Sequence, residues 1–139
     1  MRSLLFHLGF STLLAHELDA MTQAEWRLLF VLRHFSDLLA RTLFVTLHVP
    51  VVALLLWLTQ HPSSVVRRWT RTGLASFMAI HAGLHWNLRN HPLNTFTSPL
   101  SLSLIYGAGL LGFIYVVSTE LPGVLRKEKY CSTERESPR

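Results

Sequence analysis

The chain contains one cysteine, Cys131, so no intrachain disulfide framework is available and cysteine usage does not reveal the redox compartment. Charge is scarce: 15% of the 139 residues are Asp, Glu, Lys or Arg, against roughly 25% in soluble domains. There is no Walker loop and no Ser-His-Asp elbow, which removes the common P-loop and serine-hydrolase classes. Internal repeats and low-complexity tracts are also missing. The length leaves room for one domain.

Half of the residues are apolar, and they come in blocks rather than evenly. Four segments stand out, at roughly 3–20, 42–60, 70–88 and 98–121. A membrane span needs about 20 mostly apolar residues, so the expectation is an all-α integral membrane four-helix bundle over residues 1–121. Residues 122–139 then form a polar, disordered cytoplasmic tail. A secretory signal also fits the first segment, with Met1-Arg2 as the charged start and Leu13-Leu14-Ala15 as the cleavage site, but His7 interrupts its apolar core.

Thr22-Gln23-Ala24-Glu25 matches a capping box, so a short interfacial helix is expected between spans one and two, carrying Trp26, Leu29, Phe30 and Leu32 among Arg27, Arg33 and His34. Pro50 should kink span two or bound a turn. Pro92 and Pro99 mark the third loop and the entry to span four. Ala108 and Gly112 form a small-xxx-small pair suited to close helix packing. Trp26, Trp57, Trp69 and Trp86 lie near segment ends, as in an aromatic belt.

The net charge of +5 is not a nucleic-acid signature, because the basic residues sit in short groups between apolar runs, where they set topology and meet lipid headgroups. With four spans, Arg2, Arg67, Arg68, Arg71, Arg126, Lys127, Lys129, Arg135 and Arg139 share one side, leaving Arg27, Arg33, Arg41 and Arg89 on the other. This asymmetry places both termini in the cytoplasm, and the location expected is a bacterial inner membrane. The partners expected are the lipid bilayer, a lipid or hydrophobic small molecule, and a second copy or a membrane complex, with no nucleic acid.

In that topology segments one and three end, and segment two begins, on the outer side. Ionisable groups in or near hydrocarbon seldom lack a partner or a task. Segment one closes on His16, Glu17 and Asp19. Segment three closes on His81 and His85, and His48 lies near the start of segment two. His16 and Asp19 share a helix face, as do His81 and His85. Paired histidines one turn apart can chelate a metal. The candidate donors to one divalent ion, zinc or iron, are therefore His16, Asp19, His81, His85 and His48. Glu17, Asp19 and Glu25 are the candidate catalytic acids or bases, although Glu25 serves equally as a helix cap, and Glu17 and Asp19 could simply pair with Arg27 or Arg89.

The motif His16-Glu17-Leu18-Asp19-Ala20, followed by Glu25-Trp26-Arg27, resembles a family of small, uncharacterised bacterial membrane proteins with four helices and an HELDA…EW opening. It is more distantly similar to membrane proteins named for an HXXEE motif, although Leu18 and Asp19 depart from that arrangement of glutamates. The resemblance implies a membrane helical fold and singles out His16, Glu17, Asp19, Glu25 and Trp26, but it implies no activity. Three functions stay open: a metal-dependent or acid/base enzyme on a lipid or hydrophobic substrate, a non-catalytic membrane subunit whose cluster is a structural polar network, and a b-type haem electron carrier using His48 with His81 or His85.

Overall fold

The computed structural model describes the backbone over residues 1–135 and side chains over 1–119. Four helices follow one another: α1 (Arg2–Thr22), α2 (Asp37–Thr59), α3 (Ser64–Leu88) and α4 (Pro99–Arg135), with no strand among the described residues. The expected tail, 122–139, falls beyond the residues whose side chains are described.

Local chemistry accounts for the helix ends. Ser98 Oγ accepts a hydrogen bond from the Ser101 backbone N–H at 3.0 Å, and Pro99 follows at the first helical position, which starts α4. At the end of α2, Arg71 Nε donates to the Thr59 carbonyl at 3.0 Å and Arg67 Nη1 to the His61 carbonyl at 2.8 Å, so basic side chains satisfy orphan acceptors. Pro50 does not end or divide α2, which runs through it. Losing one ladder hydrogen bond inside a long apolar helix leaves the rest of its ladder intact.

The helices pack by their apolar faces. Phe6, Phe10 and Leu13 of α1 meet Leu74, Ala75 and Met78 of α3 and Ala108 and Tyr115 of α4. The approach of α4 to α3 depends on glycine. A Cβ on Gly112 would lie 2.5 Å from the Ala75 carbonyl oxygen, and one on Gly109 would run into the Ala82 methyl. Gly112 thus plays the close-packing part read from the sequence, with Gly109 beside it and Ala108 buried in the core.

Two helices are long and apolar enough to cross a membrane, Asp37–Thr59 and Pro99–Thr119, each with mean hydropathy 2.0. Only 11% of the α2 window is buried, against 33% for α4, so α2 turns most of its apolar side chains outward. α1 and α3 do not join them. The polar groups that build the sites below lower their hydropathy, so the expectation of four spans is met by two helices on composition.

The connection after α1 differs from expectation. No helix begins at Thr22. Instead α1 ends there, Ala24 adopts a left-handed conformation (φ 54°, ψ 45°), and two 3-10 turns follow, Glu25–Arg27 and Leu32–His34. Trp26 is buried rather than part of an interfacial belt, and its Nε1 donates to Asp37 Oδ1 at 2.9 Å. Arg27 clasps the same carboxylate with two hydrogen bonds of 2.8 and 2.9 Å. Together these fasten the turn to the first residue of α2.

Candidate metal centre

Glu25 follows directly on the left-handed residue. That reversal, fixed by the Trp26 and Arg27 bonds to Asp37, turns the chain back across the end of α1 and aims the Glu25 side chain inward. From α1, His16 projects to the same point. From α3, His81 and His85 arrive from successive turns of one face. Thr95 Oγ1, in the loop before α4, donates to the Gln23 carbonyl at 2.6 Å and holds that loop over the site.

The distances are those of a coordination sphere. His16 Nε2 lies 3.0 Å from His81 Nε2 and 3.5 Å from Glu25 Oε2. Glu25 Oε1 lies 3.8 Å from His81 Nε2 and 3.4 Å from His85 Nε2. The donor atoms of these four residues all fall within 4.8 Å of one another. Arms of about 2.0–2.1 Å in a regular tetrahedron give edges of roughly 3.3 Å; the four contacts, which use both Glu25 oxygens, run from 3.0 to 3.8 Å around that value.

Water is largely excluded. His16 is 0% and Glu25 5% exposed, and His85 is also buried. Phe96 closes one side, with its ring centroid 4.7 Å from that of His85 and 5.5 Å from that of His16. Phe77 stacks on His81 at 5.3 Å. Burial pushes the Glu25 carboxyl toward the neutral form. The hydrogen bond from His85 and the charges of His16, His81 and His85 outweigh burial, so its pKa lies below the ordinary carboxylate value. Glu25 Oε2 and His16 Nδ1 are buried without any hydrogen-bond partner. An orphan buried carboxylate oxygen is rare in a satisfied polar network, and Glu25 Oε2, which faces His16 Nε2 at 3.5 Å, fits a donor set shaped around a cation.

Two of the donors read from the sequence lie elsewhere. The fourth member of the group is Glu25, not Asp19. Asp19 sits one turn from His16, outside the group; its Oδ1 accepts from Thr22 Oγ1 at 3.4 Å and its Oδ2 is buried without a hydrogen-bond partner. His48 does not reach the group either. Its Nε2 lies 2.9 Å from Glu17 Oε2, and its Nδ1–H donates to the Phe44 carbonyl at 2.6 Å. The reason is the register of α2, which begins at Asp37, so His48 falls a further turn down the helix. The pairings of Glu17 or Asp19 with Arg27 or Arg89 do not form, since Arg27 is held by Asp37 and Arg89 lies over the Trp86 ring at 4.2 Å.

A second feature flanks α1. A crevice of about 400 Å³ lies between α1, α2 and α3, lined by Phe10, Leu13, Leu14 and Glu17, by His48, Val51, Val52 and Leu55, and by Thr70, Gly73, Leu74 and Phe77. The signal for it was present in the sequence as the position of Glu17, about 100° round the helix from His16.

Residues 2–121 match the family of unknown function DUF6713, and the chain belongs to that family. No curated protein and no solved structure matches it.

Proposed function

We propose that this chain is an integral membrane four-helix metalloprotein that holds one divalent ion, zinc or iron(II), on His16, His81, His85 and Glu25. The observation that carries this reading is the convergence of three imidazole nitrogens and a carboxylate from three separate parts of the chain within 4.8 Å, in a buried site. The outward-facing apolar surface of α2 supports the membrane setting. The alternating polarity of the connections supports cytoplasmic termini, with the metal at the opposite end of the bundle.

Three imidazoles and a carboxylate are borderline donors that suit zinc and iron(II) over calcium or magnesium. With zinc the four side chains close the tetrahedron and the ion acts as a structural clamp. Iron(II), which takes a larger shell, leaves positions for a substrate, and the chain is then a single-ion enzyme. A bis-histidine haem through His48 draws no support from this arrangement, because Glu17 and the Phe44 carbonyl engage both nitrogens of that ring.

The test is elemental analysis of protein purified in detergent without chelators. About one equivalent of zinc or iron per chain is expected. A metal content near zero after supplementation with both ions would overturn the reading and leave the cluster a polar network.

A further inference from the structure

The crevice beside α1 is elongated along the helix axes. Its wall residues span 10–17 on α1, 48–55 on α2 and 70–77 on α3. Seven residues at 1.5 Å each make a slot roughly 10 Å long. The side chains along it are apolar except at the ends, where Glu17 and His48 form one terminus and Thr70 lies at the other. Its volume of about 400 Å³ falls within the roughly 300–1,000 Å³ typical of small-molecule sites.

The polar terminus has a defined hydrogen-bonding character. His48 Nδ1 faces a carbonyl, which can only accept, so Nδ1 carries a proton. The Nε2–Oε2 contact at 2.9 Å then holds one further proton, whether it resides on the imidazole or on the carboxyl. The pair is net neutral in either case, and both nitrogens of His48 are engaged. The group left to meet a ligand at this terminus is Glu17 Oε1, which has no hydrogen-bond partner among the described residues and accepts wherever the shared proton resides. A ligand head here must therefore donate. An anionic head at this terminus meets no donor.

We propose that the crevice is a binding site for a single-chain neutral amphiphile with a hydroxyl head, a long-chain alcohol in its simplest form, whose hydroxyl donates to Glu17 and whose chain lies along Leu13, Val52 and Leu74. Nothing in this inference rests on the metal. Gly73 supplies the means to test it. A Cβ at Gly73, which lines the slot, meets nothing within 4 Å, so a side chain begun there takes up slot space.

The experiment uses the full chain in lipid nanodiscs and a long-chain alcohol carrying a mid-chain diazirine. Crosslinked peptides are mapped by mass spectrometry, with dodecanol, dodecanoate, dodecylamine and dodecane as competitors. Crosslinks are expected at the slot walls, with dodecanol competing about tenfold better than dodecane, the value of one good hydrogen bond. Gly73→Leu should abolish these crosslinks while leaving helicity and metal content unchanged. Glu17→Gln should reduce the advantage of the alcohol over the alkane. Equal competition by dodecane, stronger competition by dodecanoate or dodecylamine, or undiminished crosslinking in Gly73→Leu would each overturn the proposal. Loss of metal alone, with crosslinking intact, would count against the metal reading and not against this one.

Discussion

The cluster around His16 and the pair made by Glu17 use the same two side-chain types, contributed by consecutive residues of α1, yet they differ in their proton and partner accounts. In the cluster three imidazoles crowd one carboxylate, and two buried polar atoms are left without a hydrogen bond. In the pair one imidazole meets one carboxylate, and every ring nitrogen is engaged. An excess of lone pairs in a buried space calls for a cation, whereas a balanced pair at the mouth of an apolar slot calls for a neutral partner. Residue type alone does not separate the two sites. Burial and partner count do.

Substitutions that strike one site and spare the other sharpen this contrast most. His81→Ala should reduce metal affinity by more than about 100-fold, beyond the roughly 10–100-fold that follows from losing a hydrogen-bond partner of a ligand, whereas His48→Ala should leave metal content unchanged. Elemental analysis after dialysis reads both. Glu25→Gln should also lose the ion. Full retention in that variant would make Glu25 an acid or base beside a three-histidine ion rather than a ligand.

Acidification provides the next largest effect. Ligating imidazoles must be neutral, so acid should release the ion. The Glu25 carboxyl adds to this at the low end: its pKa is depressed from 4.5, so its contribution is present above that value and is lost as pH falls through the lower, folded-state value. Undiminished binding at about pH 3, well below the ordinary imidazole value, would count against imidazole ligands. Titration of bound metal against pH measures this directly.

Two glycines carry the comparison into packing. Gly112→Val drives a side chain into the Ala75 carbonyl and the Met78 Cβ, which a Gly112 Cβ would approach to 2.5 and 2.9 Å. It should cost about 1–3 kcal/mol, as overpacking does, and should loosen the helix that presents His81 and His85. Gly73→Ala points into open space and should instead stabilise the helix by about 0.5–1 kcal/mol. Thermal unfolding in detergent should move in opposite directions for the two. A stabilised Gly112→Val would mean that α3 and α4 do not pack as described.

The helical content was legible because periodicity and hydrophobic blocks are local signals, and the i, i+4 spacing of His81 and His85 placed them on one face, at the level of His16. Glu25 was legible only as a residue worth naming. Its sequence context, Thr22 three residues before it, reads as a helix start, but the apolar run of α1 carries its last turn through Thr22 and makes the same residues a helix end. Asp19 was favoured as a donor because it shares a face with His16. Chain reversal at Ala24, a tertiary event, brings Glu25 in ahead of it. His48 was misplaced because the start of α2 is set by Asp37, whose contacts with Trp26 and Arg27 lie across a loop and leave no periodic trace.

That reversal yields the smallest expected effect. Ala24 holds φ 54° and ψ 45°, a conformation that costs an L-residue roughly 1–2 kcal/mol. Glycine removes the Cβ clash but enlarges the freedom of the unfolded chain, which offsets about 0.4–1 kcal/mol of the gain. Ala24→Gly should therefore be neutral or stabilising by less than about 1 kcal/mol, with metal content unchanged. Ala24→Val, being β-branched, raises the strain at the same position, and should displace Glu25 and weaken metal binding. If the glycine variant loses stability while the valine variant keeps both stability and metal, Ala24 is not left-handed in the native chain. The turn would then not be what delivers Glu25 to the three histidines, and the contrast between the two flanks of α1 would have to rest on His16 and its α3 partners alone.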